Sequence, residues 1–187
     1  MSIYRVRNLV NAYTRLKNAT ISVENGIITD VQPASAEHRT QSSEEIYEYA
    51  VPGFIDIHTH GAAGFELTDA DDTTFEQIAA FHLLNGTTTF LGSTLTAPLS
   101  QLSRFLETAR ELMKRNRVEQ GEGNQAWLAG IHLEGPWISV RNPGAHRSNA
   151  HHIIEPADDS LELIRRNADI IKMVTFSFHS AGAEKLL

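Results

Sequence analysis

Two histidines with a single residue between them, His58 and His60, close the apolar run Val51-Pro52-Gly53-Phe54-Ile55-Asp56-Ile57-His58-Thr59-His60-Gly61. In an extended strand side chains alternate between faces, so Asp56, His58 and His60 project to one side, with the two imidazoles about 7 Å apart. From there both can reach a single metal ion. A second polar pair, His132 and Glu134, ends the run Ala126-Trp127-Leu128-Ala129-Gly130-Ile131-His132-Leu133-Glu134-Gly135-Pro136 and again shares a face. A carboxylate in that position is costly to bury unless a cation or a donor satisfies it. Two neutral imidazoles and one carboxylate suit Zn²⁺ or a similar borderline divalent ion, but three donors are too few for two ions that each take about four. The same residues also fit two strands carrying unrelated polar side chains. The elements around them have to decide.

Before residue 51 the chain reads as a small β unit, residues 1–50. Ile3–Val6 and Ala19–Val23 alternate, Glu24-Asn25-Gly26 turns the chain, Ile27–Val31 continues a hairpin, and Ile46–Ala50 adds a strand. Polar residues 33–45 read as a surface loop. These few strands bury little by themselves and call for more strands from elsewhere.

From residue 51 to 187 strands and helices alternate. A helix begins at Asp72 as N-cap, carries Phe75, Ile78, Ala79, His82 and Leu83 on one stripe, and closes at Asn85-Gly86. His82 therefore reads as a packed helix residue rather than a ligand. Thr87–Gly92 is a second buried strand, and residues 98–117 form a helix with Leu102, Phe105, Leu106, Ala109, Leu112 and Met113 at helical spacing. Gly121-Glu122-Gly123 makes a loop, and Ala126 to Glu134 is the third strand. A long loop runs through Pro143-Gly144-Ala145-His146 to His151-His152, followed by a helix with Leu161, Leu163 and Ile164, and by a fourth strand over 168–176. Gly182 to Leu187 starts something helical. Such alternation predicts an α/β chain with βαβ crossovers and a parallel sheet, whose functional groups gather at the carboxyl ends of the strands. His58, His60 and Glu134 all fall at those ends, which favours the metal reading.

Composition narrows the partners. With a formal net charge of −7, a pI near 5.7 and no Lys/Arg block, the sequence gives no footprint for nucleic acid. Mean hydropathy is −0.25, and no apolar stretch approaches the ~18 residues of a membrane span. The absence of cysteine rules out disulfides and thiolate metal sites and suits a cytoplasmic location.

PGFIDIHTHG is similar to the first-strand signature of the amidohydrolase superfamily, while IHLEGPWI followed by PGAH, and NADIIKMVTF, resemble more narrowly the N-acetylglucosamine-6-phosphate deacetylases. That resemblance implies a (β/α)₈ TIM-type barrel with a small β-sandwich built from both chain ends. It implies a metal-dependent hydrolase that removes acetate from N-acetylglucosamine 6-phosphate, giving glucosamine 6-phosphate. By position Glu134 would be the principal metal ligand. His58 and His60 match a histidine pair that some members keep, holding two ions, and others lack, holding one. Zn is the expected metal, with Fe the other candidate. Ala145 would meet the sugar through its backbone, and His146 would bind the substrate near its phosphate. The expected partner is thus an amino-sugar phosphate, and the full-length form is expected to be a homodimer. His151 and His152 match no role, and His179 comes too early to stand for a later ligand.

The residues from Val51 to Leu187 are about half of the ~250 that a complete barrel takes. The expectation is therefore the first four βα units or so, preceded by part of the sandwich, with a general-base aspartate beyond the chain end. The chain alone is then expected to be an inactive fragment, and its open strand edges to favour association. FSFH at 176–179 departs from the family's usual strand-four ending in a carboxylate. Two rivals remain: a dihydroorotase-like or adenine-deaminase-like amidohydrolase, and a non-catalytic module that binds a sugar phosphate.

Overall fold

A computed structural model describes residues 1–33, 45–69, 71–119 and 124–187. The loop expected at 33–45 lies almost entirely outside the described residues, as does that at 121–123. The chain forms two compact units, Met1–Gly53 and Phe54–Leu187.

The first unit is a four-stranded sheet built from β1 (Ser2–Val10), β2 (Arg15–Glu24), β3 (Ile27–Pro33) and β4 (Ile46–Ala50), in the order β3-β2-β1-β4. Local chemistry makes both hairpins. Asn11 Oδ1 accepts from the backbone N–H groups of Tyr13 and Thr14, an Asx-type turn between β1 and β2. Asn25 and Gly26 both take positive φ, 50° and 75°, as a tight Asn-Gly hairpin turn requires. β4 then joins β1 in parallel. Among the described residues of this unit, Val6, Leu9 and Ala19 are the buried ones, a small core. An apolar cleft of about 490 Å³ opens beside them, lined by Leu9, Leu16, Ile21, Ile28, Val31 and Val51 among others.

The second unit holds β5 (Phe54–Thr59), the short hairpin β6 (Gly61–Ala62) and β7 (Phe65–Glu66), α1 (Asp72–Leu84), β8 (Thr87–Ser93), α2 (Leu99–Glu119), β9 (Trp127–Glu134), α3 (Asp158–Arg166) and β10 (Ile171–Thr175). β5, β8, β9 and β10 form one parallel sheet in chain order. Three of its details correct the sequence reading. Asp71, not Asp72, caps α1, because its extended backbone lets Oδ1 accept from the Thr74 N–H at 2.8 Å. β5 ends at Thr59, so His60 lies one residue beyond it. The long loop is partly a 3₁₀ segment, Gly144–His152, and Gly182 precedes another, Ala183–Leu186.

The core lies between the sheet and its helices. Phe75 and Ile78 of α1, Leu102, Leu106 and Ala109 of α2, and Leu161 of α3 pack with Phe90, Leu128, Ile131 and Leu133 of the sheet. Ile131 and Leu133 point into this layer, so their neighbours His132 and Glu134 point to the opposite face. β5 is an edge strand, and its Phe54 and Ile55 remain 68% and 70% exposed. No helix among the described residues is long and apolar enough to cross a membrane.

Candidate metal centre

Three strands bring the site together. His58 comes from the end of β5, His60 from the residue after it, and Glu134 from the last residue of β9, with β8 between them. The register across β8 is direct: Gly92 pairs with both Thr59 and Ile131, and Ser93 pairs with His132. His58 Nε2 lies 2.8 Å from Glu134 Oε2, His60 Nε2 lies 3.1 Å from the same oxygen, and the two Nε2 atoms are 3.2 Å apart. All three donors thus aim at one point. Their separations are close to the ~3.3 Å edge of a tetrahedron with ion–ligand bonds of about 2.0–2.1 Å. A carboxylate oxygen and two imidazole nitrogens fit a divalent ion, and this trio is the group among the described residues whose ligand atoms converge in this way.

Glu134 is held at both ends. Its backbone N–H donates to Thr94 Oγ1 at 3.0 Å, and the Thr94 hydroxyl donates to the Glu134 carbonyl at 3.1 Å. Its side chain is only 15% exposed. Burial pushes the carboxyl pKa up, but the neighbouring His146 and His58 outweigh this and hold it below the usual carboxylate value. Glu134 is therefore an anion at neutral pH, as a metal ligand must be.

His146 is 3% exposed and sits on the 3₁₀ segment opposite. Its Nδ1 accepts the Thr96 backbone N–H at 3.0 Å. An accepting Nδ1 carries no proton, so in the neutral ring the proton is on Nε2. That nitrogen lies 3.4 Å from Glu134 Oε1 and lacks an aligned hydrogen-bond partner among the described residues. His146 is therefore an N–H donor beside the trio rather than a fourth ligand to it. Ala145, its neighbour, is exposed. His151 and His152 lie against each other with ring centroids 3.8 Å apart and planes tilted by 49°, and His179 is exposed after β10. His82 is buried on α1 against Phe90, with ring centroids 4.8 Å apart.

Sequence reasoning did not single out Ser93, Thr94 and Thr96. Each fixes one group of the site: Ser93 holds His132, Thr94 holds the Glu134 backbone and Thr96 holds His146. The run Ser93-Thr94-Leu95-Thr96 directly after a β-branched strand was the available signal. Gly135 completes the fit, since its φ of +80° suits glycine and a Cβ there would collide with Thr96 Oγ1.

Comparison with known proteins decides the family: the amidohydrolase family profile matches residues 49–185. This chain belongs to the amidohydrolase family. Among curated relatives it is 32% identical over 170 residues to the N-acetylglucosamine-6-phosphate deacetylase of Bacillus subtilis (strain 168), covering 87% of this chain and 40% of that protein. It is 26% identical over 181 residues to the N-acetylgalactosamine-6-phosphate deacetylase of Escherichia coli O157:H7, covering 97% of this chain and 45% of that one. The crystal structure of the N-acetyl-D-glucosamine-6-phosphate deacetylase from Mycobacterium smegmatis superposes with a TM-score of 0.77 at 23% identity, over 100% of this chain and 50% of that one, a likeness of fold. The chain thus spans half or less of the length of these proteins. Amidohydrolases are metal-dependent, and His58, His60 and Glu134 form a cluster that could hold an ion.

Proposed function

We propose that the protein carrying this chain is a metal-dependent hydrolase that removes acetate from N-acetylglucosamine 6-phosphate to give glucosamine 6-phosphate. The convergence of His58, His60 and Glu134, with the His146 N–H donor beside them, is the observation that carries this reading. The names of its relatives supply the substrate class. The four βα units are read as the first half of a (β/α)₈ barrel, and the N-terminal strands as part of a β-sandwich. The partner is a small amino-sugar phosphate, the location cytoplasmic and the full-length form a homodimer.

His58, His60 and Glu134 would hold one divalent ion, Zn²⁺ before Fe²⁺ for a site of two imidazoles and one carboxylate. When bound, the ion polarises the acetamide carbonyl and makes water nucleophilic at neutral pH. His146 has a separate task. With its Nδ1 occupied by Thr96, its Nε2–H donates to substrate at the metal end of the site, toward the group being hydrolysed rather than the phosphate. Ala145, one residue earlier and exposed, meets the sugar through its backbone. We assign no general base within this chain, since deprotonating the water and protonating the leaving amine calls for a further carboxylate. The 187 residues by themselves accordingly bind metal without turnover.

The test is acetate release from N-acetylglucosamine 6-phosphate, its galactosamine epimer and a cyclic amide. It compares the 187-residue chain with the longest polypeptide that carries it, each with Glu134→Ala beside it. The expected result is release from the N-acetylglucosamine substrate by the longer polypeptide, lost with Glu134→Ala and absent from the short chain. Turnover of the cyclic amide instead, or of no substrate by the metal-loaded longer form, overturns the reading.

A further inference from the structure

His132 stands two residues before Glu134 on the same face of β9 and is 1% exposed. Both of its ring nitrogens are engaged: Nδ1 with Ser93 Oγ at 2.9 Å and Nε2 with Thr175 Oγ1 at 2.7 Å. The sheet register makes this possible, since Ser93 of β8 pairs with His132 and Thr175 of β10 pairs with Glu134. A side-chain crossbar therefore joins three strands just below the metal ligands. A neutral imidazole has one donor and one acceptor, while a hydroxyl can be either, so the two hydroxyls satisfy the ring in either tautomer. What they fix is its orientation.

Edge-on against this ring lies His58, with centroids 4.7 Å apart and ring planes at 86°. His58 needs such a wall. It belongs to the edge strand, its side chain is 50% exposed, and an imidazole so placed has several open rotamers. The His132 ring fills the space into which His58 would otherwise turn, leaving its Nε2 facing Glu134 Oε2.

We propose that His132, clamped by Ser93 and Thr175, is a positioning residue that acts through His58 to preorganise the metal centre. The inference rests on the metal reading above. Partners that orient metal ligands are commonly worth 10–100-fold in metal affinity, and an effect of that size is expected here.

The test uses Zn²⁺ and Co²⁺ titrations of the 187-residue chain, with the Co²⁺ absorption spectrum as a second readout and thermal midpoints of the metal-free forms as a third. His132→Ala and the double variant Ser93→Ala/Thr175→Val should each weaken Zn²⁺ binding by about 10–100-fold and alter the Co²⁺ bands at temperatures where the variants are folded. In a His58→Ala background, His132→Ala should weaken binding no further, because its effect passes through His58. Should His132→Ala fail to fold, Thr175→Val carries the test, since it keeps the shape of residue 175 and removes only the hydroxyl. Lowered midpoints with unchanged metal affinity and spectrum reduce the crossbar to a structural element and overturn the inference alone. Absence of metal binding in the wild type overturns it together with the metal reading.

Discussion

Thr96 gives His146 its chemistry. A backbone N–H pointed at Nδ1 settles which ring nitrogen bears the proton, and so turns a histidine that could have been a ligand into a donor. His82 shows the opposite outcome for the same residue type. It stacks on Phe90, meets Thr59 Oγ1 at 3.4 Å, and feels Asp56 as the charge that opposes its desolvation. Burial dominates and holds its pKa below the ordinary value of about 6.5. The unfolded chain therefore takes up this proton first as pH falls. The contribution of His82 to stability is present above about pH 6.5, and it is lost progressively as pH falls through the folded value. His82→Leu should flatten that part of the profile, so its thermal midpoint should fall less between pH 7.5 and pH 5 than that of the metal-free wild type. An equal fall in both would refute the assignment.

At the scale of elements, β9 organises the second unit. One face carries Ile131 and Leu133 into the core, and the other carries His132 and Glu134 to the site. Just past the strand, Trp137 is fully buried, its indole N–H donates to Ser160 Oγ on α3 at 3.2 Å, and its carbonyl accepts the Ser177 N–H. Trp137→Ala should cost about 3–5 kcal/mol in urea unfolding, the range for deleting a buried large aromatic. Trp137→Phe keeps most of the packing and should cost less, with only the hydrogen-bond share of about 1 kcal/mol added. Equal costs for the two would mean that packing is not what the indole supplies. Part of this was legible beforehand, because strand alternation put His132 and Glu134 on one face of their strand and His58 and His60 together at the end of another. The cap at Asp71 was not, because two adjacent aspartates look alike in sequence and only the backbone turn chooses between them. Nor was the crossbar, which depends on the register of three strands that no local pattern encodes.

For the molecule as a whole, the parallel order β5-β8-β9-β10 followed from strand–helix alternation, and the small N-terminal sheet from its Asn-Gly turn and alternating strands. The 3₁₀ turn that buries His146 could not be read, since its sequence looks like an ordinary polar loop and the contact of His146 with Thr96 is non-local. Both units leave apolar surface uncovered, at Phe54 and Ile55 of β5 and along the cleft beside Leu9 and Leu16. Surface of that kind is a place for further contacts. Membership of the amidohydrolase family and a converged donor trio make one claim central, that these 187 residues bind a divalent ion at His58, His60 and Glu134. Elemental analysis of the purified chain tests it most directly, with Glu134→Ala and His58→Ala/His60→Ala purified alongside. About one Zn or Fe per chain is expected in the wild type, with its loss from both variants. A folded wild type without metal, or variants that keep it, would refute binding at these three residues.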